Sequence, residues 1–281
     1  MIKARTLSLL VWILCLSLLS SCSTQSSAPP VEQPALPQPA DPAPTPQEDP
    51  PEAQEPPAAI EPPANFSSYY VDMKNYRIHS AEEGEKIALL TFDDGPKGVV
   101  TLQILDILDK YGAKSIWFVN GFNYGWDYKP NPQKEEQFIT LIKEIHARGH
   151  IVANHTWEHQ NLRKLTPEKQ RQEILSMNTL LESITGEKPK YFRPPFGAYT
   201  DAQKQVMRDE GMQWMNWSVG SLDWELKEPQ QVVQQVVSTM HNGANILLHD
   251  FPITAEALDP LLKELSDQGY KFVLPTEVKQ E

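Results

Sequence analysis

From residue 87 onward the chain alternates between short apolar runs and longer segments whose apolar positions recur three and four residues apart. The short runs predict strands at Ile87–Phe92, Ser115–Val119, His150–Asn154, Lys190–Phe192, Gln213–Val219, Asn245–Leu248 and Tyr270–Leu274. The segments between them predict helices over 99–111, 135–148, 166–185, 201–210, 229–241 and 254–267. Their apolar stripes include Leu102, Leu105 and Leu108 in the first, and Phe138, Leu141, Ile142 and Ile145 in the second. Thr166-Pro167 supplies an N-cap followed by proline at the first helical position, and Gly112 and Gly186 stand where a left-handed residue ends a helix. Before the first run, Tyr69, Tyr70, Val71 and Tyr76 are expected in a peripheral strand. Residues 121–132 read as a loop whose aromatics, Phe122, Tyr124, Trp126 and Tyr128, either stack sugar rings or pack on their own domain.

Strand–helix–strand units repeated about seven times predict an α/β fold with a parallel sheet. The polar residues equipped for chemistry fall directly after strands: Asp93 and Asp94, His155, Arg193, Asp223 and His249. Strand ends converge on one face of a barrel, so the expectation is a distorted (β/α)7-type barrel forming a single catalytic domain over residues 67–281. No glycine-rich phosphate loop occurs.

The first 66 residues follow other rules. Lys3 and Arg5 precede the apolar run Leu7 to Leu19, which is shorter than the ~20 residues a spanning helix needs. Positive, apolar, then small residues is a secretory signal pattern, here 1–21. Leu19-Ser20-Ser21-Cys22 resembles the bacterial lipobox, which implies lipidation at Cys22; a cleaved signal with a chance cysteine, or an uncleaved anchor, would show the same residues. Of the 25 prolines, 14 lie between Pro29 and Pro63, among Ala, Gln and Glu and with no lysine or arginine. Such a stretch cannot bury enough apolar surface to offset chain entropy, so residues 22–66 are expected to be an extended tether.

The formal net charge is −12, of which the signal carries +2, the tether −7 and residues 65–281 −7. An acidic domain lacks the basic surface that nucleic-acid binding requires. Both cysteines, Cys15 and Cys22, lie in the leader, which leaves the domain no disulfide and no thiolate ligand. Metal chemistry would therefore fall to histidine and carboxylates.

Three stretches offer it. In Thr91-Phe92-Asp93-Asp94-Gly95-Pro96 two carboxylates sit where a buried strand breaks into a turn, and strand alternation should point them in different directions. In His155-Thr156-Trp157-Glu158-His159 two histidines four apart would meet on one face of a helical turn. With Asp94 they make a two-histidine, one-carboxylate set with open positions. His249, ending the run Leu247-Leu248-His249, is placed for general acid work near neutral pH. Taken singly, an Asp-rich turn, a surface pair of histidines or a hydrogen-bonded core histidine would account for each.

Together with Arg193-Pro194-Pro195-Phe196-Gly197 and Leu222-Asp223-Trp224, these stretches resemble, in order and spacing, the polysaccharide deacetylases: the NodB homology domain of carbohydrate esterase family four. The resemblance covers roughly residues 80–275 and implies a role for each residue. Asp94, His155 and His159 would hold a divalent metal ion, most often Zn2+, with Co2+ or Ni2+ as alternatives. Asp93 would be the general base, paired with Arg193, and His249 the general acid, oriented by Asp223. Trp224 would wall the pocket, and the backbone N–H of Phe196 would face the oxyanion. Phe196 replaces the family's usual tyrosine, and Gly220 replaces the first aspartate of its fourth motif. The implied protein is a monomeric deacetylase of a β-1,4-linked amino-sugar polysaccharide. It would be lipid-anchored outside the cytoplasmic membrane, facing the cell wall, with peptidoglycan N-acetylglucosamine or N-acetylmuramic acid as substrate. The alternatives are a chitooligosaccharide or exopolysaccharide deacetylase and a non-catalytic wall-binding module.

Overall fold

The computed structural model describes residues 68–82, 84–125 and 131–278. The expected signal segment (1–21), Cys22, the whole of the expected tether (22–66), and Trp126 and Tyr128 of the aromatic loop lie outside the described residues. Among the described residues no helix is long and apolar enough to cross a membrane.

A two-stranded antiparallel hairpin, β1 (Tyr69–Val71) with β2 (Ile78–Ser80), precedes the main sheet. Tyr76, expected in a strand, sits instead at φ 58° in the turn. The main sheet contains β3 (Ile87–Gly95), β4 (Ser115–Val119), β5 (Ile151–Asn154), β6 (Tyr191–Phe192), β7 (Gln213–Trp214), β8 (Val219–Gly220), β9 (Ala244–His249) and β10 (Lys271–Phe272). The helices are α1 (Val99–Lys110), α2 (Pro132–Ala147), α3 (Pro167–Thr185), α4 (Asp201–Glu210), α5 (Pro229–Thr239) and α6 (Pro252–Asp267). All pairings in this sheet are parallel, in the order β7-β6-β5-β4-β3-β9-β8, with β10 joined to the start of β3.

The barrel expectation holds as a curled half-barrel. The single strand predicted at 213–219 is two short strands on opposite edges of the sheet, β7 and β8. Between them residues 215–218 cross from one edge to the other without a ladder. Buried side chains replace the missing hydrogen bonds: Arg193 donates to the carbonyls of Met215 and Asn216, and Asn245 Nδ2 also donates to the Asn216 carbonyl.

Both faces of the sheet are covered, which is why its strands read as continuous apolar runs. On β3 the alternation is strict. Ala88, Leu90 and Phe92 join the core beneath α1, α2, α5 and α6, while Ile87 and Leu89 join Ile116, Phe118, Tyr191 and Met215 inside the curl. Thr91 and Asp93 continue the inner row, so an apolar stack rises into a polar mouth. Each large apolar side chain in that stack contributes roughly 1.5–3 kcal/mol by leaving water. Helix ends follow the local chemistry: Asn131, Thr166 and Thr200 cap α2, α3 and α4 through their side chains, and Gly186 and Gly211 end α3 and α4 at φ 78° and 68°.

Candidate active site

The strand ends deliver their polar residues to one cavity of about 420 Å³, lined by Asp93, Asp94, His155, His159, Pro194, Phe196, Trp217, Trp224, Leu247, His249 and Phe251. Asp93 and His249 are register partners on adjacent strands, so both face the same mouth. Asp93 belongs there by alternation. Asp94 should point away, but the β3–β4 register shifts between Asp93 and Gly95, and Asp94 adopts φ 65°. The irregularity turns its carboxylate back, so the two neighbours share one cavity and both approach His155 Nε2, Asp93 Oδ2 at 3.6 Å and Asp94 Oδ1 at 3.7 Å.

His155 and His159 meet as expected, though not on a helix. Residues 155–160 form an irregular loop in which Thr156 and His159 take φ 76° and 53°. A β-branched residue at positive φ is strained, and three contacts hold the loop there. Asn154 Oδ1 accepts from Thr156 N–H (2.7 Å), Thr156 Oγ1 accepts from His159 N–H (3.1 Å), and Glu173 on α3 accepts from Glu158 N–H (2.8 Å). Among the described residues, five of the six non-glycine residues with positive φ (Asp94, Thr156, His159, Phe196 and Leu222) lie on these loops, so backbone strain is concentrated at the cavity.

One ligand atom each from Asp94, His155 and His159 lies within 4.8 Å of the others. His159 Nε2 is 3.5 Å and His155 Nε2 3.7 Å from Asp94 Oδ1, a buried oxygen with no hydrogen-bond partner. His155 Nδ1 donates to the Arg193 carbonyl at 2.6 Å, which turns its Nε2 toward Asp94 and Asp93. Burial, followed by the charge of His155, lowers His159 to about 4, so it is a neutral ligand at neutral pH. Burial pushes Asp94 up, but the surrounding imidazoles, His155 first, outweigh it and hold the carboxyl below its ordinary range. An orphaned carboxylate oxygen and two imidazole nitrogens at these separations fit a small divalent cation.

Two ion pairs flank this set. Arg193, completely buried, donates from Nη1 to Asp93 Oδ1 at 2.7 Å and to Thr91 Oγ1 at 2.9 Å, while its guanidinium carbon lies 4.1 Å from the Phe118 ring centroid. His249 Nδ1 donates to Asp223 Oδ1 at 2.7 Å, leaving Nε2 for a substrate. The second carboxylate oxygen of Asp223 accepts from His249 N–H (2.7 Å) and Thr254 Oγ1 (2.6 Å). Burial opposes both charges of this pair, yet the shared hydrogen bond and Coulomb attraction win: His249 is raised and Asp223 lowered. Trp224 packs edge-on against His249 at 5.2 Å and Phe251 stacks on it at 5.0 Å. Phe196, 67% exposed, closes the far rim with its ring 5.1 Å from His159.

All nine residues singled out in the domain are therefore assembled at one site. Thr91, Trp217 and Phe251 were not foreseen. The same strand alternation that places Asp93 would have found Thr91; the two aromatics carry no signal of their own in the chain. Gly220 borders Trp217 rather than the ion pairs: a Cβ there would meet Trp217 Nε1 at 3.6 Å, an ordinary contact.

A curled parallel α/β sheet carrying an Asp-His-His cluster between two buried acid–base pairs defines a hydrolase-like architecture. Residues 80–215 match the family model described as polysaccharide deacetylase. A Bacillus cereus peptidoglycan-N-acetylglucosamine deacetylase is 34% identical over 72% of this chain and 92% of its own length. The chain belongs to the polysaccharide deacetylase family. It is also 33% identical to the peptidoglycan-N-acetylmuramic acid deacetylase PdaC of Bacillus subtilis, over 72% of this chain but only 40% of that protein. The PdaC structure superposes with a TM-score of 0.60 at 30% identity, covering 69% of this chain and 89% of the solved one. A Bacillus anthracis protein described as a family-four pseudoenzyme gives the same TM-score at 28% identity over 68% of this chain and 64% of its own.

Proposed function

We propose that this chain is a metal-dependent N-deacetylase of a β-1,4-linked amino-sugar polysaccharide, with peptidoglycan as its substrate. One observation carries the reading: the Asp94–His155–His159 cluster, the Asp93–Arg193 pair and the His249–Asp223 pair open into a single cavity. The named relatives support the substrate class.

Asp94, His155 and His159 would hold the ion, with Zn2+ the ion proposed and Co2+ or Ni2+ as alternatives. A divalent ion supplies Lewis acidity, polarising an acetamide carbonyl and acidifying water. Asp93 accepts the proton of the attacking water, and Arg193, donating to its Oδ1, orients the acceptor. Amines leave poorly unless protonated. His249, kept in its charged form by Asp223, donates from Nε2 to the departing nitrogen. The Phe196 backbone N–H is assigned to the oxyanion. Trp224, Phe251 and Trp217 narrow the cavity and restrict water.

A non-catalytic binding module has no use for a buried base and a buried acid placed together, and each costs desolvation. The test is acetate release from N-acetylglucosamine oligomers and from purified peptidoglycan, with and without a chelator. Metal-dependent release is expected. No release from either glycan by metal-loaded protein would discard the enzyme reading, and mass mapping of the digested wall would name the sugar. Anchoring outside the membrane through Cys22 completes the proposal; Cys22→Ala should move the protein from the membrane fraction to the medium, and unchanged fractionation would remove that part.

A further inference from the structure

Lys97 follows the Asp93-Asp94 turn by three residues and is half-buried. Its ammonium lies 4.1 Å from the centroid of Phe251, the ring that stacks on His249 and lines the catalytic cavity. Among the described residues no carboxylate comes within 4.0 Å of Lys97 Nζ, a lack it shares with exposed lysines such as Lys143 and Lys190, but Lys97 is half-buried. Lys97 also borders a second cavity of about 540 Å³, which carries Lys134, Gln137 and Asn123 on its wall. Asn123 Nδ2 donates to the carbonyls of Asp94 and Gly95, so that cavity adjoins the metal-ligand turn.

A cation taken partly out of water without a paired anion is costly, and burial accordingly pulls Lys97 below its ordinary value. The carboxylates whose charge it feels, Asp94, Asp223 and Asp250, all lie farther than 4.0 Å from Nζ, although Asp94 Oδ1 and Asp250 Oδ1 accept no hydrogen bond. Asp94 sits in the metal cluster, Asp223 bonds His249 and Thr254, and Asp250 accepts from Lys97's own backbone N–H and from Thr101. The position, over the Phe251 ring that stacks on His249, favours an anion supplied by the ligand.

We propose that Lys97 is a substrate-recognition residue that pairs with a carboxylate carried by the glycan, namely the lactyl carboxylate of a muramic acid unit. This deepens the deacetylase reading and rests on it. The lactyl ether occupies the ring carbon next to the one bearing the acetamide, so a sugar seated for attack would present that carboxylate beside the leaving nitrogen. A chitin-like glycan offers no such group.

The test uses peptide-stripped peptidoglycan strands, untreated and after carbodiimide amidation of the lactyl carboxylates, with the metal-loaded full chain. The wild type should prefer the untreated strand in kcat/KM, chiefly through KM. In Lys97→Gln that preference should fall by about tenfold, equivalent to ~1.4 kcal/mol, and Lys97→Arg should restore most of it. An unchanged ratio between the two strands in Lys97→Gln would overturn the assignment, whatever happens to the absolute rates. Acetate from neither strand with wild type would instead overturn the deacetylase reading, which keeps the two failures distinct.

Discussion

Replacing Asp93 by asparagine removes one negative charge and almost no volume. Asp93 is 3% exposed and Arg193 not at all, so the substitution strands a guanidinium beside Thr91 and the Phe118 ring. Removing one partner of a buried pair costs about 3–5 kcal/mol, because the remaining charge stays desolvated. The asparagine oxygen can still accept from Nη1, which places the expected loss near the lower end, ~3 kcal/mol. Against a total stability on the order of 5–15 kcal/mol the protein stays folded, and urea titration of the chelator-treated chain reads the change. Activity should fall by roughly 10²–10⁴ with the loss of the base. The double variant Asp93→Asn/Arg193→Gln separates the effects. Removing the stranded charge should make the double less destabilised than the sum of the single losses, with no recovery of activity. A single-variant loss under about 1 kcal/mol, or additivity within about 0.5 kcal/mol, would refute the claim that these two charges depend on each other.

Two further predictions rest on the titrating histidines. The Asp223 carboxylate holds His249 above its ordinary value, so the acid is lost only when pH rises past that raised value; Asp223→Asn should move the alkaline limb of kcat/KM to lower pH, and an unmoved limb would remove Asp223 from that role. His150 is the opposite case. Burial lowers it to about 4, and its Nδ1 accepts from Ser115 N–H at 3.1 Å, which requires that atom to be unprotonated. The unfolded chain therefore takes up the proton first. Stability should be undiminished above pH ~6.5 and decline by about 3 kcal/mol toward pH 4, a loss that His150→Asn should reduce; identical pH slopes for both proteins would contradict it.

The strands and helices of the sheet's middle were legible because both faces are buried and the hydrophobic periods are undisturbed. The residues between β7 and β8 were not. Gln213–Val219 reads as one strand because it is short and carries Trp214, Met215, Trp217 and Val219, although residues 216–218 are only partly buried. Whether those residues stay on one edge or cross the mouth depends on where Arg193 and Asn245 offer donors, which are contacts distant in sequence. The His155–His159 spacing misleads for a related reason. Three or four residues apart means adjacency on a helix, but left-handed residues at Thr156 and His159 achieve the same adjacency in a loop. The strain is held by Asn154 and Glu173, which spacing does not reveal.

The chain alone determined the alternation of elements, the acidic character of the domain, and the residue types available for chemistry, since these follow from local periodicity and side-chain inventory. It also placed these polar residues near strand ends, although β3 continues through Asp93 and Asp94 to Gly95 and β9 includes His249. Tertiary structure decided what those residues are to one another. It turned Asp94 back toward Asp93, buried Arg193 against a single carboxylate, tied His249 to Asp223, and left Lys97 over Phe251 with no carboxylate within 4.0 Å among the described residues. These are distances and desolvation, which exist only after segments far apart in sequence have packed together.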